Sequence, residues 1–122
     1  MKINNFFLIF VIIFLLLGCS KELENKSVIN EKDLDLQVLE AYEEGMKALN
    51  TGDVLYAAQK FNEAETLYPQ SESAPKSALM AAYSYYSQDY YRDAIAELNR
   101  FLRLYPKYDD LDYVYYLLGI SY

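Results

Sequence analysis

The stretch EGMKALNTGDVLYAAQKFNEAETLYP, residues 44–69, decides how this chain is read. Gly45 and Ala48 lie on one side of a break at Gly52-Asp53, and Ala57, Phe61, Ala64 and Tyr68 follow before Pro69. Residues three and four apart share one face of a helix. Upstream, Leu34, Val38 and Ala41 lead into Gly45, Ala48 and Leu49 and make one apolar stripe. The spacing predicts two helices joined at a tight corner. Gly52 is placed for the left-handed position ending the first helix, Asp53 for capping the second, and Pro69 for ending it. A small residue at a crossing lets two antiparallel helices approach closely, so Gly45 is expected opposite Ala57, and Ala82 opposite Ala94.

The pattern then returns. Leu67-Tyr68-Pro69 reappears as Leu104-Tyr105-Pro106, a period of 37 residues. Ala57 answers to Ala94, Phe61 to Leu98, Tyr42 to Leu79 and Tyr116, and Gly45 to Ala82 and Gly119. Asp89, one residue short of the register of Asp53, is expected to begin a second helix as Asp53 does. Repetition at this length predicts stacked helical hairpins, each covering the apolar face of its neighbour. The fold class is therefore all-α, an α-solenoid of about two and a half hairpins over residues 31–122. On the packing stripes, Tyr85 and Tyr105 are expected in the core.

Ahead of the repeats, Phe6 to Leu17 is an unbroken apolar run behind Lys2. As a helix it covers only ~18 Å of a ~30 Å hydrocarbon core, which suits a signal peptide better than a membrane span. Leu16-Leu17-Gly18-Cys19 resembles the lipobox of bacterial lipoproteins. That resemblance implies a signal peptide over 1–18, a lipidated Cys19, and a polar tether over 19–30. It also implies a place on the periplasmic face of the outer membrane, since Ser20 stands where an inner-membrane retention signal carries Asp. Two or three acyl chains hold a protein to a bilayer durably.

Composition excludes much. The formal net charge is −7, with no histidine, no tryptophan, a single cysteine and 14 tyrosines. Without histidine, and with Cys19 committed to lipid, Ser-His and Cys-His devices and most zinc sites are out of reach. Four glycines, widely spaced, make no phosphate-cradling loop. An acidic chain lacking a basic stripe repels nucleic acid. Glu43-Glu44 and Asp109-Asp110 are sequence neighbours that point apart on a helix, and Glu63 and Glu65 are expected on a solvated face. The reading is a non-enzyme without cofactor or metal.

The hairpins resemble the tetratricopeptide repeat (TPR), whose pattern of small residue, Ala, aromatic, Ala and Pro is met by Gly45, Ala57, Phe61, Ala64 and Pro69. The second repeat has Leu98 for the aromatic and Phe101 for a small residue, a swap that conserves volume. Its period exceeds the usual ~34 residues, and Gln70 to Pro75 (QSESAP) supplies the longer connection. Beyond this, the lipobox, the tether and residues 44–69 resemble in order the BamD family of lipoproteins from the outer-membrane β-barrel assembly machinery. The most telling parts are Arg100 to Pro106 and the helix Asp112 to Gly119. The resemblance implies a non-catalytic subunit that scaffolds the complex and receives unfolded outer-membrane protein segments. Its implied partners are a BamA-like barrel-forming subunit, other lipoproteins of the complex, and the membrane through the lipid. Family members carry further repeats that dock onto the barrel-forming subunit, so the chain is expected to be an N-terminal portion truncated in its third repeat. A TPR lipoprotein serving peptidoglycan or cell-division proteins is the alternative.

In TPR folds the first helix of each hairpin lines a groove. Counting from the small crossing residues places Tyr42, Met46 and Leu49 there, then Leu79, Tyr83 and Tyr86, then Tyr113, Tyr116 and Ile120. These are apolar and aromatic, so the Lys and Asn carboxylate clamp of some TPR grooves is not expected. Tyrosine offers a flat apolar surface and a hydroxyl, suited to holding extended, aromatic-bearing peptide segments.

Overall fold

The computed structural model describes residues 31–122. The expected signal peptide (1–18), Cys19 and the expected tether (19–30) lie outside the described residues. Five helices follow in order: α1 (Glu31–Thr51), α2 (Val54–Leu67), α3 (Ala74–Tyr86), α4 (Tyr91–Leu104) and α5 (Leu111–Ser121). The starts of α4 and α5 fall 37 residues after those of α2 and α3, so the sequence period is the structural period. Each helix packs on the next along the chain, with a lighter contact between α3 and α5. The result is two TPR-like hairpins followed by a single helix in the register of a third.

The two hairpin corners share the same pair of backbone bonds. Gly52 has φ +84°, its N–H donates to the Leu49 carbonyl at 3.1 Å, and Asp53 donates to Ala48 at 2.9 Å. The Asp53 carboxylate accepts from the Tyr56 N–H at 3.2 Å and caps α2. Thirty-seven residues on, Asp89 donates to Tyr86 at 3.1 Å and Tyr90 to Tyr85 at 3.0 Å. Asp89 has φ +65°. It therefore holds the left-handed place of Gly52 and does not begin the helix, as the sequence had suggested. Helix α4 starts at Tyr91 behind Tyr90, which makes no side-chain cap. The corner demands a left-handed residue, and Asp tolerates that conformation better than most.

Packing runs through three apolar clusters. Val38, Ala41 and Ala64 join α1 to α2. Ala48, Ala57, Ala58, Phe61 and Ala81 join the first hairpin to α3. Ala78, Ala82, Leu98, Phe101, Val114 and Leu117 join the second hairpin to α5. At Gly45 the nearest neighbour is the ring of Phe61: a Cβ there would lie 2.9 Å from Phe61 Cδ1 and Cε1. The long side chain reaches back one turn and fills the space that the glycine leaves open. Leu98 and Phe101 are both fully buried, and the Phe101 ring lies 5.1 Å from Tyr105 and 5.3 Å from Tyr108.

Candidate functional site

The first helices of the hairpins carry the candidate groove, and its residues differ sharply in what they do. In α1, Met46 and Leu49 are half-buried against the Ala48–Ala57–Phe61–Ala81 cluster. Tyr42 meets Phe61 edge-on with ring centres 5.1 Å apart. The Lys76 ammonium, from α3, stands 5.4 Å from the Tyr42 ring centre. With Asp35, Val38, Leu39, Ser73 and Ser77 they line an open cavity of about 340 Å³. A lysine is thus present after all among the inward positions, because Lys76 lies one turn before Leu79 on the same face.

Toward α5 the surface opens. Leu79 and Tyr86 are half-buried on the third cluster. Tyr83 is 36% exposed and Tyr116 62%, and Tyr113 and Ile120 are exposed as well. Ring centres lie 6.4 Å apart for Tyr83 and Tyr86, 5.9 Å for Tyr86 and Tyr91, and 6.5 Å for Tyr113 and Tyr116. Partial burial pushes the Tyr113 hydroxyl above its ordinary range, helped by Tyr83, Tyr116 and Tyr86, which sets α3 and α5 within electrostatic reach of each other. The structure brings Tyr83, Tyr86, Tyr91, Tyr113 and Tyr116 together. Tyr42, Met46, Leu49 and Leu79 mainly serve the packing.

Tyr91 escaped the sequence reading, which counted first helices only. Its hydroxyl donates to the Asp89 carboxylate at 2.6 Å, and that bond raises its pKa. The usable signal was its position two residues past the corner, where a side chain of α4 turns back over α3. Phenols shifted this way stay neutral at physiological pH and remain donors. The patch offers flat apolar faces with hydroxyls at their rims, which is chemistry for contact.

A second polar assembly overturns an expectation. Glu65 is only 3% exposed, where a solvated face was anticipated. Its carboxylate accepts from Arg100 Nη1 at 2.9 Å and Nη2 at 2.7 Å, and from the Tyr105 hydroxyl at 2.7 Å. Arg100 also donates from Nε to Glu97 at 2.7 Å and from Nη2 to the Asn62 side-chain oxygen at 3.0 Å. Glu65, first, and Glu97 hold the guanidinium charged against the cost of burial. A buried carboxylate persists only when paired and hydrogen-bonded, and this one is both. Glu65 stands one turn after Phe61 on the packing stripe, the clue the sequence offered. Glu63, by contrast, faces solvent and pairs with Lys60 at 2.9 Å. Among the described residues no group of three or more His, Cys, Asp or Glu is arranged to hold a metal ion. No helix among them is long and apolar enough to cross a membrane.

Residues 34–122 match the YfiO family, described as outer membrane lipoprotein. The chain is 35% identical over 86 residues to the outer membrane protein assembly factor BamD of Neisseria meningitidis serogroup B, covering 70% of this chain and 32% of that protein. It is 33% identical over 97 residues to BamD of Rickettsia prowazekii, covering 80% and 39%. To BamD of Caulobacter vibrioides it is 31% identical over 105 residues, covering 86% and 33%. The chain spans between 32% and 39% of the length of these relatives.

Proposed function

The chain belongs to the YfiO family of outer membrane lipoproteins, and from that membership we propose that it works in outer-membrane protein assembly as a non-catalytic scaffold that receives unfolded protein segments. Its relatives are named outer membrane protein assembly factors. The observation that carries the receiving role is the tyrosine patch of α3, α4 and α5, with Tyr83, Tyr113 and Tyr116 open to solvent. Exposed rings held by a stiff helical frame contribute contact area at little entropic cost, and their hydroxyls serve the backbone of an extended segment. Lys76 beside Tyr42 adds one cation at the far end of the row.

The rest of the proposal follows the lipobox and the family. Cys19 carries the lipid, residues 1–18 are removed, residues 19–30 tether the repeats, and the protein sits on the periplasmic face of the outer membrane. A BamA-like barrel-forming subunit and other lipoproteins of the assembly machinery are its partners, with unfolded outer-membrane proteins as its substrates. No cofactor enters this reading.

The test is photo-crosslinking from position 83 of the lipoprotein in outer-membrane vesicles, with the adducts identified by mass spectrometry. Barrel precursors among the adducts, with the barrel-forming subunit co-purifying, are the expected result. Peptidoglycan synthases or division proteins in their place would sink the assembly reading. Internal crosslinks alone would return Tyr83 to packing.

A further inference from the structure

Helices α2 and α4, the second helices of neighbouring hairpins, do not pack against each other along their lengths. Side chains alone cross the space between them. From α4 and its C-terminal cap come Arg100 and Tyr105, and both end on the buried Glu65 carboxylate of α2. Asn62 and Glu97 close the ring around the guanidinium, Asn62 accepting from Arg100 and donating weakly to Glu97 at 3.5 Å. No buried side-chain polar atom among the described residues lacks a partner.

We infer that Glu65, Arg100 and Tyr105 form a positioning latch that fixes the angle between the first and second hairpins. The residue 37 positions after Glu65 is Leu102, and Arg100 itself answers to Glu63 in the first repeat. Glu65 and Arg100 are therefore not part of the repeat pattern, and each is particular to this joint. The second joint is apolar: Phe101, Val114 and Leu117 form its centre, with Leu102, Tyr108, Leu111 and Leu118 around them. Apolar contact is non-directional and tolerates sliding. A bidentate guanidinium–carboxylate pair fixes distance and plane together. A buried ion pair contributes little net stability compared with apolar residues of similar volume, and what it supplies here is geometric definition.

The consequence for ligands, which alone rests on the function proposed above, is that the latch keeps Tyr42 of α1 at fixed spacing from Lys76, Tyr83 and Tyr86 of α3.

Double electron–electron resonance on the full chain tests this, with Cys19→Ser in every sample. One nitroxide pair, at Glu43→Cys and Ala96→Cys, spans the first joint. A second, at Arg92→Cys and Asp112→Cys, spans the other. The expected wild-type result is one narrow distance distribution at the first joint, with the second pair as the control. Glu65→Gln and Arg100→Lys should each broaden the first and leave the second unchanged, with helical content retained. The double variant Glu65→Leu/Arg100→Met should recover thermal stability but not the narrow distribution. A first joint that stays narrow in the single variants overturns the latch, as does a double variant that restores narrowness. None of these outcomes bears on crosslinking from position 83, so the latch and the groove can fail separately.

Discussion

Gly45 lacks a side chain because Phe61 occupies the space a Cβ would need. The Gly45→Ala methyl would lie 2.9 Å from two ring carbons, and the ring, wholly buried, has nowhere to withdraw. Overpacking of this kind costs ~1–3 kcal/mol, which outweighs the ~1 kcal/mol that alanine gains over glycine in a helix. Urea denaturation should therefore show Gly45→Ala less stable than wild type. Tyr105 offers a second residue-scale test, by pH. Burial first, then its bond to Glu65, raises its hydroxyl above the ordinary 10.0. The folded chain then keeps a proton that the unfolded chain has lost. Its contribution is complete below pH ~10 and falls away as pH rises further. Tyr105→Phe should cost ~1 kcal/mol at neutral pH and flatten the alkaline loss. Some slope will persist, because Tyr85, Tyr91 and Tyr113 are shifted the same way.

At the scale of the element, the hairpin corner shows what the sequence could and could not reveal. Asp89 and Asp53 look alike as helix-starting residues, yet the period of 37 aligns Asp89 with Gly52. Register, rather than residue type, was the reliable guide. A non-glycine residue held left-handed costs ~1–2 kcal/mol, somewhat less for Asp. Asp89→Gly should therefore raise the melting temperature, by an amount corresponding to at most ~1 kcal/mol, because it also removes the hydroxyl bond from Tyr91. Gly52→Ala should lower it. The same lesson applies to Glu65. A carboxylate reads as solvated by default because charged residues are seldom buried alone. Its guanidinium partner lies 35 residues away in the chain, beyond any local pattern. The helices and their apolar stripes were legible because period is a local property. Which tyrosines stay open was not, since exposure depends on what neighbouring helices cover. Tyr42 and Tyr116 share a register, yet Tyr42 is half-buried against Phe61 and Tyr116 stands open.

For the whole molecule, contacts that run only from each helix to its near neighbours imply that stability is local. Phe61 exposes this most directly. It fills the space at Gly45, abuts Tyr42 and shares its cluster with Ala81 of α3. The cluster that seats α5 contains none of these residues. Removing a buried phenylalanine side chain costs ~3–5 kcal/mol. In a single globular core that loss would be felt everywhere, and all helices would open together. Here Phe61→Ala should speed amide hydrogen exchange in α1 and α2 first, with α3 responding less and the central amides of α5 retaining wild-type protection. The latch sharpens the expectation, because Glu65 ties the end of α2 to α4 and should keep the last turn of α2 slower to exchange than its middle. Adding Arg100→Met to Phe61→Ala should abolish that difference. Equal acceleration in α5 would mean the hairpins fold as one cooperative unit, and the nearest-neighbour account of this solenoid would have to be abandoned.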